Sequence, residues 1–489
     1  MNKRLVLAAS FALVTAFLFG GAWAHALCWY GTGSGSDLAP PGCKPQGAPG
    51  RYRSLYRTGA WTHAQQGAQT RAAQKQGVPG DLPPAENRGD VRQQTFEIVW
   101  RTVKEKHFDP AMGGVDWDKA RETYAPRVAA VKSDRELYPL LQEMLGLLRQ
   151  SHFNITPPES LTPEDQNEPS GGGVGIDLRL VGGAAMITRV EPDSSASRAG
   201  LRPGFLIKQV GDRPVEEIIA AFAKGAERTE IKNIRMTRGL LAAMGGDPGA
   251  PLKIAYQDDI DRRRETTLII ERLKGELSPR FGYFPPQYTE FETKRMANGA
   301  GYIGYIRFNV FTAPVIEKLK AAISGFGDAD GMVFDLRGNL GGLGGIAMTI
   351  AGRICEKPGS LGVMKTRGGE LKFAFFPQEN RYAGPVAVLI DGMSASTSEV
   401  FSSGVQEMGR AVIVGERSAG AALPSFIQKL PTGALFQFAV ADFKTPKGVL
   451  IEGRGVIPDV EARYDRASLL AGHDAQLEAA VEQIRKSRK

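Results

Sequence analysis

Four hydroxyl residues at one strand-to-helix junction are the first group in this sequence whose types and spacing could do chemistry. The apolar run PVAVLID before them predicts a buried strand and SEVFSSGVQEMG after them predicts an amphipathic helix; the four are Ser394, Ser396, Thr397 and Ser398. A hydroxyl at such a sharp turn points out of the sheet, where the first amide groups of the helix can face a developing oxyanion. Ser and Thr are also favoured helix caps, so the cluster alone is compatible with a nucleophile and with an ordinary cap.

A second chemistry-bearing element is the glycine-rich segment FDLRGNLGGLGG at residues 334–345. The strand ending at Asp335 enters a loop whose small residues let the backbone approach a ligand closely. The glycine spacing is wrong for a dinucleotide-binding loop, and no Walker lysine follows. An oxyanion-hole loop opposite the serines is the sharper interpretation, and a plain tight turn is the alternative.

Alternating strand and helix patterns must position these two loops. The segments GYIGYIRFNV, GMVFDLRG, PVAVLID and RAVIVGE predict strands, and helical patterns cover 343–356 and 398–409. Repeated strand–helix units imply an α/β core layered with helices. Upstream, apolar residues at helical spacing predict a small helical domain over 91–155. We therefore expect a multidomain α/β protein.

The N-terminus has the layout of an export signal. Lys3 and Arg4 precede a long apolar run and then small residues, and cleavage after Ala24 or Ala26 fits this pattern. The length of the run leaves an uncleaved membrane anchor as the alternative. We assign residues 1–26 to this signal or anchor, and we expect a periplasmic or secreted protein.

Charge and cysteine content narrow the class of protein further. The 489 residues carry a formal net charge of +8 that is scattered rather than striped, which indicates solubility rather than nucleic-acid binding. Cys28 and Cys43 lie in a Gly-, Pro- and Gln-rich segment, 27–90, that predicts a flexible tether. In an oxidising compartment these two cysteines are expected to form a disulfide, whereas Cys355 is expected to be a buried thiol.

The segment 172–273 resembles a PDZ domain across its whole length. The loop that holds a peptide's C-terminal carboxylate in such domains matches four consecutive residues here, namely Gly173, Val174, Gly175 and Ile176. Phe205 departs from the pattern, because it replaces the usual acidic residue after the glycine. The resemblance implies docking of protein tails by strand addition.

Five further motifs carry a second resemblance. GYIRF, DLRGNLGG, SASTSEVF, AVIVGE and IEGRGVIPDV occur in the order seen in the C-terminal processing, or tail-specific, serine proteases of family S41, and the similarity covers about residues 91–485. It implies a crotonase/ClpP-like α/β catalytic core of ββα units over 274–485. Matching SASTSE to the family's Ser-Ala-Ser-Ala-Ser-Glu element implies that Ser396, and not Ser394 or Ser398, is the nucleophile.

One position departs from the better-known branch of that family. Its Ser–Lys dyad has a lysine in a Gly-Glu-x-x-x-Gly-Lys-Gly stretch, and the matching GERSAGAA places Ala421 there. Alanine cannot accept a proton. The tricorn-like branch instead carries a Ser-His pair and a glutamate, which match Ser151, His152 and Glu452. This resemblance implies that His152 is the base, that Glu452 fixes its tautomer, and that Ser151 supports the hydrogen-bond network.

For the oxyanion hole we predict the backbone N–H of Thr397 together with that of Gly341 or Gly342. Lys444 and Lys447 are the only lysines near the last motif, and they are the alternative bases.

Together these features predict an exported serine endopeptidase that acts on protein or peptide substrates through an acyl-enzyme, with no metal or organic cofactor. Two alternatives remain open. A catalytically inactive PDZ-containing adaptor is supported by Ala421, and a hydrolase of non-peptide esters is possible because a Ser/His/Glu site does not dictate the acyl group.

Overall fold

The computed structural model describes residues 88–158, 171–223 and 228–487. The predicted signal, nearly all of the predicted tether and the predicted disulfide between Cys28 and Cys43 lie outside these residues. All the described residues belong to one unit, Asp81–Lys489, so their elements can be placed relative to one another.

The N-terminal described part is helical, as predicted. Its elements are the helices Arg88–Lys106, Trp117–Ala129 and Asp134–Gly146 and the short 3₁₀ helix Met112–Gly114. The strand Asn154–Thr156 follows and pairs antiparallel with Leu435–Ala439, which pairs in turn with Ser425–Lys429. The helices and these late strands share one apolar core, in which Leu137 and Phe436 are fully buried. The helical part is therefore packed onto the C-terminal half of the chain.

A largely antiparallel sheet follows the helical part. Its strands, in sheet order, are Ile176–Val181, Ala184–Val190, Leu206–Val210, Pro251–Gln257 and Arg263–Ile269, with Arg213–Pro214 paired beside Leu206–Val210. The helices of this region are Ser195–Arg198, Val215–Phe222 and Thr229–Ala243. We call Thr229–Ala243 the groove helix. It packs on the sheet through the buried Leu240 and the partly buried Leu241.

A six-stranded sheet, here the core sheet, carries both chemistry-bearing loops. Its strands, in sheet order, are Phe291–Asn298, Gly301–Phe308, Gly331–Asp335, Val386–Ile390, Val412–Gly415 and Val460–Glu461. The first pair is antiparallel and each later pair is parallel. Because the carboxyl ends of parallel neighbours meet at one edge, the loops after Asp335 and after Ile390 lie side by side.

Helices cover both faces of the core sheet. Val388 and Ile390 pack with helices Val315–Gly325, Gly344–Ile354 and Thr397–Glu407 on one face. Ala387 and Leu389 pack with helix Ala475–Lys486 on the other. Burial on both faces explains why these strands read as unbroken apolar runs.

Two ion pairs, one buried and one partly buried, join the antiparallel sheet to the core sheet. Nε of Arg179 lies 2.6 Å from Oδ2 of Asp391, and Nη2 of Arg307 lies 2.6 Å from Oδ2 of Asp177. Asp391 is the residue that directly follows the strand Val386–Ile390, so the first pair reaches the turn that carries the serines.

Smaller elements complete the described chain: the strand pairs Gly172–Gly173 with Glu271–Arg272 and Glu276–Leu277 with Tyr288–Thr289, the sheet Gly369–Phe375, Gly359–Thr366 and Asp442–Lys444, and the helix Arg466–Leu470. No helix among the described residues is long and apolar enough to cross a bilayer. The predicted mixed α/β fold with a helical N-terminal part and a β-sheet core is confirmed.

Candidate active site

Ser396 lies where the strand Val386–Ile390 turns into the helix Thr397–Glu407, which we call the serine helix. Its backbone has φ 54° and ψ −117°, a conformation that residues other than glycine rarely adopt. Backbone strain of this kind is concentrated at functional sites, where the surrounding structure enforces it. The turn at residues 391–396, the serine turn, therefore presents Ser396 in an enforced geometry.

The other serines of this segment are structural in their contacts. The hydroxyl of Ser394 donates to the carbonyl of Leu336 (2.8 Å), and that of Ser398 donates to the carbonyl of Asn339 (2.8 Å). Both side chains are fully buried, whereas Ser396 is partly exposed. Ser396 is thus the one of the three whose hydroxyl can meet a substrate.

The buried carboxylate of Glu399 fixes the backbone of the serine turn through hydrogen bonds. Its Oε2 accepts the N–H of Ser396 (3.1 Å) and of Ala421 (2.8 Å), and its Oε1 accepts the N–H of Gly420 (2.7 Å) and the hydroxyl of Ser418 (2.5 Å). One side chain therefore ties the serine turn to the segment 418–421. Sequence reasoning did not single out Glu399, although the capping-box pattern Ser-x-x-Glu at the start of the serine helix could have indicated it.

We expect Glu399→Gln to change how stability depends on pH. Burial raises the pKa of Glu399 to about 7, above its ordinary value of 4.5. The stability linked to this proton is therefore fully present below pH 4.5 and is lost as pH rises through 7. Glutamine cannot titrate. The free energy of unfolding of the wild type, relative to the variant, should fall by about 2 kcal/mol from about pH 5 to about pH 7.5 in urea denaturation. Parallel profiles for the two proteins would contradict this expectation.

The glycine loop, residues 336–343, lies directly against the serine turn. A Cβ placed on Gly341 would come within 2.7 Å of both Cβ of Ser396 and N of Thr397, and Gly341 has φ +95°. Asn339 fastens the loop, because its carbonyl accepts the N–H of Ala395 (3.1 Å). Only glycine fits at position 341, since any side chain would displace Ser396.

The three predicted oxyanion amides are not equivalent. The N–H of Gly341 donates to Oδ1 of Asn339 (2.9 Å) and is therefore already engaged. The N–H groups of Thr397 and Gly342 have no hydrogen-bond partner among the described residues. Thr397 also contacts the loop, because its hydroxyl donates to the carbonyl of Gly342 (2.7 Å). The pair left free to bind an oxyanion is Thr397 and Gly342.

His152 takes part in a chain of short hydrogen bonds. Its Nδ1 lies 2.7 Å from Oγ of Ser151, which lies 2.8 Å from Oε2 of Glu452. The N–H of Ser151 donates to Oε1 of the same carboxylate (2.8 Å). The predicted link between Glu452 and the imidazole is therefore indirect and runs through the hydroxyl of Ser151. The sequence-based prediction gave Ser151 only a supporting role in this network.

The donors around Glu452 indicate which atoms of this hydrogen-bond chain carry protons. Besides Ser151, Glu452 has two hydrogen-bond partners among the described residues, and both are donors: the N–H of Ala422 (3.1 Å) and Nη2 of Arg228 (2.9 Å). Burial raises the pKa of Glu452, and the guanidinium of Arg228 opposes that rise. With the carboxylate ionised, the hydroxyl of Ser151 donates to it and accepts from Nδ1–H of His152. Nε2 then keeps its lone pair.

A single peptide group connects this chain with the serine turn. The carbonyl of Ala421 accepts the N–H of Ser396 (2.8 Å), and the N–H of Ala422 donates to Glu452. Among the described residues no hydrogen bond joins Nε2 of His152 to Oγ of Ser396. Among the described residues the link between the two side chains therefore runs through this peptide group and Glu452.

No lysine takes the place of the absent dyad base among the described residues. Ala421 is buried beside Ala395 and the partly buried Ile231 and Ile234. Lys444 and Lys447 are exposed, and neither side chain hydrogen-bonds to the serine turn.

The four predicted carboxylate-loop residues line a cavity of about 300 Å³. Leu241 of the groove helix lines the same cavity. Gly175 has φ +79°, and a Cβ there would come within 2.2 Å of Cβ of Ser194. Its glycine is therefore required by the backbone.

Arg228 is the site residue that sequence reasoning missed altogether. It precedes the groove helix and contacts Glu452, which is 224 positions away in the chain. Nothing in the local sequence AERTEI marks it.

Comparisons with known proteins found two family models that match this chain. The model for peptidase family S41 matches residues 302–462, and that for the tricorn protease C1 domain matches residues 90–146. The carboxyl-terminal-processing protease of Picosynechococcus sp. is 26% identical over 366 residues, which cover 74% of this chain and 81% of the relative. The chloroplastic C-terminal processing peptidase of Tetradesmus obliquus is 24% identical over 378 residues, 76% of this chain and 77% of the relative.

A solved structure supports the fold. The photosystem II D1 C-terminal processing protease matches with a TM-score of 0.55 at 22% identity, covering 80% of this chain and 96% of that chain. At this identity the likeness shows a shared architecture.

Proposed function

The chain belongs to peptidase family S41 and is a serine peptidase, and we propose that it is an exported endopeptidase of the C-terminal processing type. We assign Ser396 as the nucleophile and His152 as the general base and acid. Glu452, acting through Ser151, orients the imidazole. The amides of Thr397 and Gly342 form the oxyanion hole.

The observation that carries the proposal is the hydrogen-bond chain from Glu452 through Ser151 to Nδ1 of His152. It leaves Nε2 as a proton acceptor, and it places a carboxylate where positive charge develops on the imidazole. Burial lowers the pKa of His152 to about 4, so the ring is neutral at pH 7 and able to accept a proton. In this hydrogen-bond chain His152 is the base, a role that the alanine at position 421 cannot take.

The proposed reaction is acyl transfer in two steps. Oγ of Ser396 attacks the carbonyl carbon of the scissile peptide while Nε2 of His152 takes its proton, and the amine then leaves with that proton. A water molecule next gives a proton to Nε2 and attacks the ester carbonyl. The bond to Oγ then breaks, Nε2 returns its proton to Oγ, and the new carboxyl group is released. We infer that Nε2 and Oγ come within hydrogen-bond distance of each other once substrate is bound, since catalytic hydrogen bonds often tighten only in the substrate complex.

Product analysis distinguishes the two enzymatic functions. We expect mass spectrometry to find cleaved peptide bonds in a protein that carries an unstructured C-terminal tail. Turnover of an ester panel without any peptide cleavage would support the ester hydrolase instead. Tail binding without turnover of either panel would support the inactive adaptor.

We further propose that 172–273 is a PDZ domain that docks protein tails, beside a helical domain over 91–155 and a crotonase/ClpP-like core over 274–485. The cavity between residues 173–176 and the groove helix supports this, because a strand added at a sheet edge needs an adjoining side-chain pocket. The basic, apolar N-terminus and the small residues after it support export through residues 1–26.

A charge placed in the cavity beside residues 173–176 should weaken substrate docking and leave the catalytic steps unchanged. We expect Leu241→Asp to raise KM for a tailed protein about tenfold or more, because apolar anchors in such pockets carry much of the binding energy. The kcat value and the rate of labelling by a small fluorophosphonate should stay unchanged. Asn233→Asp adds the same charge to the same helix at an exposed position and is the control. Equal KM values in the two variants would remove the docking role. Gly175 is unsuitable as a probe, because its backbone requires glycine.

A further inference from the structure

Arg228 connects the groove helix to both halves of the proposed active site. Its Nη2 donates to Oε1 of Glu452 (2.9 Å) and to the carbonyl of Gly420 (2.6 Å). Gly420 directly precedes Ala421, whose carbonyl holds the N–H of Ser396. One nitrogen atom therefore bridges the acid of the hydrogen-bond chain and the segment that positions the nucleophile.

The origin of Arg228 sets it apart from the other partners of Glu452. Ser151 lies between the helix Asp134–Gly146 and the strand Asn154–Thr156, and Ala422 lies just before the strand Ser425–Lys429. Arg228 instead directly precedes the groove helix, whose Ile231 and Ile234 pack on the alanines around the serine turn. The far end of the same helix lines the cavity through Leu241.

The rest of the guanidinium is poorly satisfied. Nη1 of Arg228 is buried and has no hydrogen-bond partner among the described residues. It lies near Gly420 and Gly453, where a Cβ would come within 3.3 Å and 3.6 Å of it. A buried donor without a partner destabilises a fold. An arginine at this place is therefore difficult to explain by stability alone.

We propose that Arg228 is a positioning residue for the proposed catalytic site. It keeps Glu452 directed at Ser151 and thereby makes the alignment of His152 depend on where the groove helix sits. Arg228 does not touch substrate, and it acts through Glu452. This inference rests on the proposed function and names a residue that nothing in the family motifs points to.

Two substitutions at Arg228 test the proposal, with active sites counted by fluorophosphonate titration. Arg228→Met removes the only cation that contacts Glu452 among the described residues. We expect kcat on a reporter peptide and the rate of labelling to fall by up to about a hundredfold, with KM nearly unchanged. The acid limb of the pH–rate profile should move to higher pH, because the carboxylate loses its cation. Arg228→Lys should recover part of the rate, since the charge is kept.

Lys232→Met removes one positive charge from the same helix, one turn further on, and is the matched control. We expect wild-type rates and a wild-type pH profile from it. A structural role for Arg228 would lower the thermal midpoint while each titrated active site kept its rate and pH profile. That result, or Arg228→Lys being no better than Arg228→Met, would overturn the inference. Absence of labelling in the wild type would instead overturn the proposed function, and the inference with it.

Discussion

Ser396→Ala is expected to abolish covalent labelling by a fluorophosphonate and to lower kcat on a reporter peptide by about 10⁵-fold or more. Loss of the nucleophile in comparable serine peptidases costs on this order, because only binding and the oxyanion hole then remain. The fold should survive, since Ser396 is partly exposed and alanine removes one oxygen atom. Labelling rate and turnover are measured on the same preparations.

Ser324→Ala, at an exposed position on the helix Val315–Gly325, is the control for the first prediction and should behave as wild type. Label that persists in Ser396→Ala would contradict the assignment. Peptide mapping would then show whether Ser394 or Ser398 carries it, although both hydroxyls are buried and donate to carbonyl groups.

Removal of the histidine base should have the second largest effect. His152 has φ +62°, so His152→Asn is the preferred variant, because asparagine tolerates this conformation better than alanine does. Its amide can still hydrogen-bond to Ser151 but cannot take up and return a proton. We expect the labelling rate and kcat to fall by about 10⁴-fold or more, because disabling the imidazole as a base in a serine triad costs at least this order.

His473→Asn is the control for the second prediction, because His473 is exposed and pairs with Glu478 in the C-terminal part of the chain. It should leave the rate unchanged. Full labelling of His152→Asn, together with its loss in Ser396→Ala, would establish a serine nucleophile with a different base. Lys444 and Lys447 would then be the next residues to replace.

Local sequence was sufficient to predict the elements around the serine turn. The buried strand Val386–Ile390 and the serine helix follow from apolar spacing, which records burial directly. The choice of Ser396 came from a motif match, and its partial exposure is consistent with that choice. The helical N-terminal part could be predicted equally well, because helix caps and a stripe of apolar residues are local features of the sequence.

Contacts between segments that are far apart in the sequence could not be predicted in the same way. The sequence contains Ser151 and Glu452 but not the order in which they meet His152, since that order depends on how residues 301 positions apart are brought together. Arg228 carries no local signal, because surface arginines of the same kind occur throughout the chain. The engagement of the Gly341 amide depends on a side-chain rotamer of Asn339, which no spacing rule predicts.

The peptide group between Ala421 and Ala422 has a consequence for how this site tolerates change. Its carbonyl holds the nucleophile's backbone and its N–H holds Glu452, and a peptide unit is planar and rigid. The distance between the backbone of Ser396 and the carboxylate of Glu452 therefore depends on one rigid peptide unit and its two hydrogen bonds. The side chain at position 421 takes no part in this link, because both bonds are made by backbone atoms of the peptide unit. Proline at position 422 would break the hydrogen bond to Glu452, because proline has no backbone N–H.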